Sequence, residues 1–324
     1  MTTIYITIDT EYSAGFFARD GADARTANFD ASIAGRTRDG QAGIEYQMDI
    51  FDAHGLKAVF FVDPMPALIW GVEAIADVVG PIVARGHDVQ LHVHTEWLAF
   101  AGAANPLGSR TGRNIKDFTR DEQVLLLGYA ANALQQAGAP RPVAFRAGNY
   151  GANDDTLRAL ASLGISYDSS HCPALAGEGE CGISLGADDR EPMEYCGVIE
   201  VPVGSIAAHR NRQRHAQLTA LSGQELIAAV RHSRDQGQAA FTLVSHSFEL
   251  LSRDRTRINT IVRRRFEKVC ARLAAMQGVR TATYSDCPPE PAKGKPASLL
   301  PHHALRTGKR LCEQALGNAL FGAR

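Results

Sequence analysis

The sequence predicts an α/β fold of parallel strand–helix units, closed into a barrel of seven or eight strands. Three observations carry this. Short apolar runs alternate with amphipathic segments along most of the chain, the pattern of βα units and a parallel sheet. The units fill roughly 285 residues, a span that suits a barrel better than an open sheet. Two strands carry polar side chains on one face, crowded toward their C-terminal ends, where barrel enzymes place their sites. An open doubly wound sheet is the main alternative.

The elements follow in order. Ile4–Asp9 reads as a strand, with Ile4, Ile6 and Ile8 on one face and Tyr5, Thr7, Asp9 and Glu11 on the other. Ile44, Met48 and Phe51 recur at helical spacing, and Gly55 ends that segment. Leu56–Val62 is a second strand. Val72, Ile75, Val79, Ile82 and Val83 mark a helix closed by Gly86, and His87–His94 is a third strand. A loop bearing Gly and Asn runs from Ala101 to Phe118. Thr119 and Glu122 make a capping box ahead of a helix over Val124–Ala137. Pro142–Arg146 is the next strand, Asn153 caps Asp154–Leu163, and Ile165–Asp168 is a short strand. Ser169–Tyr195 reads as loop, and Val198–Val203 as strand. Ser222 and Glu225 form another capping box before Leu226–Arg234. Ala240–His246 is a strand. Ile258, Val262, Val269, Leu273 and Met276 line a long helix that Gly278 ends, and Val279–Tyr284 closes the pattern. From Pro288 the texture becomes that of a linker, followed by a short amphipathic helix within Leu299–Arg324. The expected organisation is a barrel domain over 1–287, then linker and tail over 288–324.

Lys plus Arg number 34 against 35 Asp plus Glu. Without a basic field to collect phosphates, nucleic acid is excluded as a bulk partner. No run of ~18 uncharged apolar residues is present, so no membrane span is expected. The first residues lack a basic stretch followed by an apolar core, and the six cysteines are scattered without Cys-x-x-Cys pairs. Both features fit free thiols in a reducing compartment, so a cytoplasmic location is expected. In the tail, Arg306, Lys309, Arg310 and Arg324 accompany Leu311, Leu316, Leu320 and Phe321. Such a helix can make weak contact with an anionic membrane surface; packing back on the barrel is the plainer reading.

A strand covered by helices on both faces should be apolar on both. The first and third strands are not. Asp9 and Glu11 end one; Asp88, Gln90, His92 and His94 line the other, with Glu96 just beyond. Carboxylates and imidazoles at one end of a sheet suit a divalent ion held by nitrogen and oxygen, such as zinc. Spacing leaves the ligand set open. His92 and His94 can both bind from an extended chain; His92 and Glu96 can do so extended or one helical turn apart.

Four segments in order resemble the motifs of the polysaccharide deacetylases, the NodB-homology group: Thr-Ile-Asp9-Thr-Glu11, Gly86-His-Asp-Val-Gln-Leu-His92-Val-His94-Thr-Glu96-Trp97, Phe145-Arg146-Ala-Gly148 and Ser245-His246-Ser-Phe. The resemblance spans Ile4 to Tyr284. It implies a distorted (β/α) barrel and metal-dependent hydrolysis of an N-acetyl amide, or less often an O-acetyl ester, on a sugar. By the same resemblance Asp9 is the general base, Glu11 the metal carboxylate, His92 the first metal histidine, His246 the general acid, and Arg146 the arginine that orients the base. Two positions depart from the commonest pattern. Thr10 stands where a second aspartate is usual, and Glu96 where the second metal histidine is usual, so either His94 or Glu96 completes the metal set. A His-x-His-x-Glu-Trp segment is similar to a subgroup associated with surface-carbohydrate genes.

Together these residues support a hydrolase that removes an acetyl group from an N-acetylated sugar or glycoconjugate intermediate. The metal polarises the carbonyl and acidifies a water, Asp9 takes the proton, Arg146 keeps Asp9 ionised, and His246 protonates the departing amine. Trp97, Tyr150 and Asp168 are the expected substrate contacts. The competing readings are an allantoinase-like hydrolase of another non-peptide C–N bond, and a non-catalytic barrel that binds carbohydrate.

Overall fold

The computed structural model describes residues 1–293 and 297–322. Among these, one nine-stranded sheet dominates. Its strands are β1 (Thr2–Thr10), β2 (Ala58–Val62), β3 (Asp88–Val93), β4 (Ala144–Ala147), β5 (Tyr167–Asp168), β6 (Met193–Tyr195), β7 (Val198–Glu200), β8 (Ala240–His246) and β9 (Val279–Thr281). The spatial order is β8-β1-β2-β3-β4-β5-β7-β6, with β9 beside the start of β1. All pairings are parallel except that of β6 with β7. Two single bridges, Val203 with Thr242 and Gln217 with Val244, bring the far edge back to β8. The sheet thereby curls into a distorted barrel, as expected, and the open doubly wound sheet is set aside.

The helices lie outside. They are α1 (Ile44–Ala53), α2 (Val72–Ala84), α3 (Arg120–Gln136), α4 (Asp154–Ser162), α5 (Gly223–Asp235), α6 (Thr260–Ala274) and α7 (Ala304–Phe321), with shorter turns between. Side-chain caps start α3, α4 and α5. Thr119 and Glu122, Asn153 and Thr156, and Ser222 and Glu225 each form a reciprocal capping box, which satisfies amide groups the first turn leaves free.

Period-two alternation explains the two faces of β1. Ile4, Ile6 and Ile8 join the apolar layer beneath the helices. Tyr5 points into the lumen with Val59, Phe61, Ala144 and Tyr284. The Tyr5 and Tyr284 rings stand 5.0 Å apart, and the Tyr5 hydroxyl donates to the Cys287 carbonyl at 2.6 Å. The segment after β9 therefore fills the lower lumen with aromatic surface. Higher in the lumen the filling becomes polar. Thr7, Asp9, Gln90, His92 and Arg146 are all buried, so the polar strand faces line the interior.

Several elements carried too little periodicity to be expected. Short helices Ala14–Asp20 and Arg25–Phe29 occupy the stretch before α1. β6 interrupts the loop read over Ser169–Tyr195, and a hairpin, Ser205–Ala207 with Gln213–His215, follows β7. The linker residues Gly294–Pro296 and the tail residue Arg324 lie outside the described residues.

Candidate active site

The C-terminal ends of β1, β3, β4 and β8 deliver the site. Just beyond β1, Glu11 meets two imidazoles carried by β3 and the residue that follows it. The Glu11 Oε2 atom lies 3.3 Å from His92 Nε2 and in direct contact with His94 Nε2. One ligand atom from each of the three falls within 4.8 Å of the others.

The remaining ring nitrogens are committed. His92 Nδ1 donates to the Arg146 carbonyl at 2.7 Å, and His94 Nδ1 donates to Glu96 Oε2 at 2.8 Å. When neutral, both rings thus aim Nε2 lone pairs at Glu11 Oε2, a buried atom with no hydrogen-bond partner of its own among the described residues. Lone pairs and a carboxylate oxygen repel unless a proton or cation sits among them. The electrostatics express this demand. Burial pulls His94 down, yet Glu11 and Glu96 outweigh it and hold the imidazole well above its usual range. Burial pushes Glu11 up, but His94 and His92 hold it well below. Two imidazole nitrogens and one carboxylate, each oriented from behind, fit a divalent ion such as zinc with coordination positions to spare.

His94 therefore joins Glu11 and His92. Glu96 does not converge with them: it stands behind His94, and its other oxygen accepts from Asn149 at 3.3 Å.

Arg146 is wholly buried in the lumen. Its Nη1 donates to Asp9 Oδ1 at 2.7 Å and to Thr7 Oγ1 at 2.8 Å. Nε and Nη2 donate to the Ser169 carbonyl and hydroxyl at 3.1 and 3.0 Å. The guanidinium also stacks 4.5 Å from the centre of the Phe61 ring, a contact that favours a desolvated cation. With its other donors committed to Thr7 and Ser169, Arg146 holds Asp9 by Oδ1, and Asp9 Oδ2 lies 3.9 Å from His246 Nε2.

His246 ends β8. Burial lowers its pKa, but the Glu249 carboxylate outweighs burial and lifts it to about 9. Burial raises Glu249, and His246 then brings it down to about 2. Gln217 Nε2 and the Thr219 amide donate to Glu249 Oε1 at 2.9 and 3.1 Å.

The three expected substrate contacts fare differently. Tyr150 is half-buried near this centre, its hydroxyl without a hydrogen-bond partner among the described residues. Trp97 is 0 % exposed and packs edge-on against Phe17 and Trp70, so its ring is core and cannot stack on a sugar. Asp168 is also 0 % exposed. It accepts from the Ser170 amide and hydroxyl at 2.9 and 2.7 Å and pairs in register with Glu200, which places it below Arg146 rather than in a cleft.

Three further residues at the candidate site carried little or no signal of their own. Glu249 lies in a loop turn, and its role depends on a fold that brings Gln217 and Thr219 to it. Asp63, just past β2, is buried, accepts from the Met65 amide at 3.0 Å, and is raised to about 6 by burial. Arg255 packs 3.6 Å from the centre of the Phe248 ring and donates to Ser32 Oγ at 2.7 Å. A hint existed only for Asp63, a lone acid closing an apolar strand.

By sequence, no protein-family model and no curated protein matches the chain. Solved structures do. One described as a polysaccharide deacetylase from Mycobacterium smegmatis is 16 % identical, with a TM-score of 0.55 over 91 % of this chain and 95 % of that one. A 4-α-glucanotransferase from Thermococcus litoralis is 11 % identical, with a TM-score of 0.52 over 88 % of this chain and 40 % of that one. A family 4 carbohydrate esterase from Streptomyces lividans is 10 % identical, with a TM-score of 0.44 over 93 % and 98 %. Because one fold carries different reactions among these neighbours, the likeness speaks to architecture and the reaction must be argued from the site. The chain has the polysaccharide-deacetylase-like fold.

Proposed function

We propose that this protein is a metal-dependent hydrolase that removes the acetyl group from an N-acetylated sugar or glycoconjugate. The observation that carries the reading is Asp9: it pairs with buried Arg146 at 2.7 Å, lies 3.9 Å from His246 Nε2, and stands two residues before Glu11 of the Glu11–His92–His94 triad. A divalent cation, most simply zinc, would be held by that triad, where it would polarise the amide carbonyl and acidify a water. Asp9 then accepts the water's proton as oxygen attacks the carbonyl carbon. Arg146 keeps Asp9 anionic and aimed. His246, cationic beside Glu249, donates a proton to the amine nitrogen as the C–N bond breaks, so acetate and a free amino sugar leave.

A binding-only barrel gives no reason to hold a buried carboxylate on an arginine and beside a cationic histidine. The test is zinc-dependent acetate release from N-acetylated sugars by the purified chain, compared with Asp9→Asn. We expect release by the parent and a loss of at least about a hundredfold in the variant, the usual contribution of a general base. Turnover of a cyclic amide with no acetate from any acetylated sugar would favour the allantoinase-like reading instead.

The tail belongs to this picture as a docked element with one free face. α7 is tied down by Arg265 to Glu313 at 3.0 Å and by Gln314 to the Thr219 carbonyl at 3.1 Å. Leu305, Leu311, Leu316 and Leu320 remain exposed, with Lys309 and Arg306 nearby in sequence. No described helix is long and apolar enough to cross a membrane, so any lipid contact is peripheral. Sedimentation with anionic vesicles should recover a fraction of the full chain, and Leu316→Gln with Leu320→Gln should reduce it. Equal recovery of parent and variant would assign α7 to packing alone.

A further inference from the structure

A second feature opens at the same end of the barrel. A groove of about 660 Å³ lies between the loop after β5, the hairpin after β7, and α7. That volume falls within the roughly 300–1,000 Å³ typical of small-molecule sites. Its walls present four guanidiniums, Arg210, Arg212 and Arg214 from the hairpin and Arg310 from α7, against two carboxylates, Glu178 and Glu225. Glu178 is exposed at the rim. Glu225 is occupied, accepting from the Ser222 amide at 2.9 Å and lying 3.3 Å from Arg310 Nε.

Three of the four arginines are under-compensated. Among the described residues, the side chains of Arg210, Arg212 and Arg214 have no ion-pair or hydrogen-bond partner. Arg310 is only 5 % exposed; it pairs with Glu225, and its Nη1 donates to Gln314 at 2.8 Å. Burial and the neighbouring Arg310 charge both pull Arg214 below its usual range. Arg214 is half-buried beside Arg310, with Arg210 and Arg212 exposed at the rim; holding these like charges together costs free energy, which a dianion would offset. Guanidinium forks match phosphate oxygens two at a time, and the net charge of the four arginines and two carboxylates is that of a diphosphate with its sign reversed.

The groove is connected to the reacting centre. His215 lines it. His215 Nε2 lies 2.8 Å from Gln217 Oε1, and Gln217 Nε2 donates to Glu249 and lies 3.4 Å from His246 Nδ1. One residue separates the basic wall from the histidine that faces the leaving nitrogen.

We infer that this groove binds the diphosphate of a glycosyl diphosphate, so that the acetylated sugar reaches Asp9 and His246 while its anionic anchor rests on Arg212, Arg214 and Arg310. The inference rests on the deacetylase reading for the sugar, but the groove can be tested without turnover. A soluble nucleoside diphosphate and a lipid diphosphate would present the same chemistry.

The first probe is inorganic pyrophosphate, titrated calorimetrically into the full chain and into an Arg212→Ala, Arg214→Ala double variant whose circular dichroism and melting temperature match the parent. We expect saturable binding that weakens steeply with salt and drops at least about tenfold in the double variant, as loss of charge-assisted hydrogen bonds requires. The Arg212→Lys, Arg214→Lys double variant should keep part of it. Pyrophosphate held only by a catalytic metal would bind both proteins equally, and that result, like no binding at all, overturns the groove. Uridine diphosphate and farnesyl diphosphate then compete against pyrophosphate. Displacement by either supports the site, and the stronger competitor identifies the source; failure of both rejects it. Kinetics separate the two readings. Pyrophosphate binding without acetate release from any sugar leaves the groove standing and removes the deacetylase. Acetate released equally fast from N-acetylglucosamine and from its uridine diphosphate conjugate keeps the deacetylase and removes the groove's role.

Discussion

Arg146 donates to Thr7, Asp9 and Ser169 at once, and its own carbonyl fixes His92. A single side chain and its backbone thus set the direction of the proposed base and the tautomer of a histidine in the proposed metal set. At His246 the decisive neighbour is Glu249. His246 sits at about 9 in the fold against an ordinary value of 6.5, so its own contribution to stability is complete below pH 6.5 and fades as pH rises through 9. Glu249 sits at about 2 against 4.5, so its share is complete above pH 4.5 and is lost as pH falls toward 2. The acid form of His246 therefore persists through neutral pH. Glu249→Gln removes the counter-charge while keeping the shape and an acceptor. We expect the alkaline limb of the rate profile to move to lower pH, with the acid limb nearly unchanged. A pH–rate profile of acetate release checks this; an unmoved alkaline limb would mean that Glu249 does not set the proton affinity of the acid.

Among the elements, β1 and β3 were the most legible. Strict alternation put Asp9, Glu11, His92 and His94 on the polar side of their strands, and the barrel turns that side inward. Glu96 shows where spacing stopped short. A helical turn would have brought it beside His92, but the chain after β3 enters a 3-10 turn over Thr95–Ala99, which sets Glu96 behind His94 and buries Trp97. The turn after β4 was illegible for another reason. Asn149 and Tyr150 adopt φ of 57° and 55°, a left-handed conformation that non-glycine residues rarely take, held here only because the surrounding fold demands it. Gly148 at its start lies flat against His94: a Cβ there would come within 2.7 Å of the imidazole ring. Gly148→Ala should leave the barrel folded but tilt His94 away from Glu11. We expect zinc affinity to fall about 10- to 100-fold, the range seen when the support behind a metal ligand is disturbed. Calorimetric zinc titration of the folded variant measures this; unchanged affinity would show that His94 needs no such backing.

Across the whole molecule, the barrel divides its lumen into an aromatic lower half and a charged upper half. The lower half is self-sufficient: Tyr5, Phe61 and Tyr284 bury one another. The upper half depends on mutual compensation. Arg146 answers Asp9, Glu249 answers His246, but Glu11 faces two imidazoles whose other nitrogens are already committed. This asymmetry could not be seen in the sequence, since it arises from closure: the bridges at Val203 and Gln217 bring Glu249 and His246 opposite strands far away along the chain. It also predicts how the protein responds to metal. A cation binding the folded triad and not the unfolded chain stabilises the fold by mass action, about 2.7 kcal/mol at a free concentration a hundredfold above Kd. That would raise the melting temperature by several degrees in a chain of this size. Zinc should therefore raise Tm in the parent, EDTA should reverse it, and Glu11→Gln should abolish the response by removing the only carboxylate in the set. The Asp9→Asn variant is the discriminating control, because it removes the base while leaving all three ligands. If the zinc response survives Asp9→Asn and vanishes in Glu11→Gln, metal holding and proton transfer are separate tasks of two carboxylates two residues apart on one strand end. Loss of the response in both variants would instead make Asp9 part of the metal set and return the general base to an unassigned group.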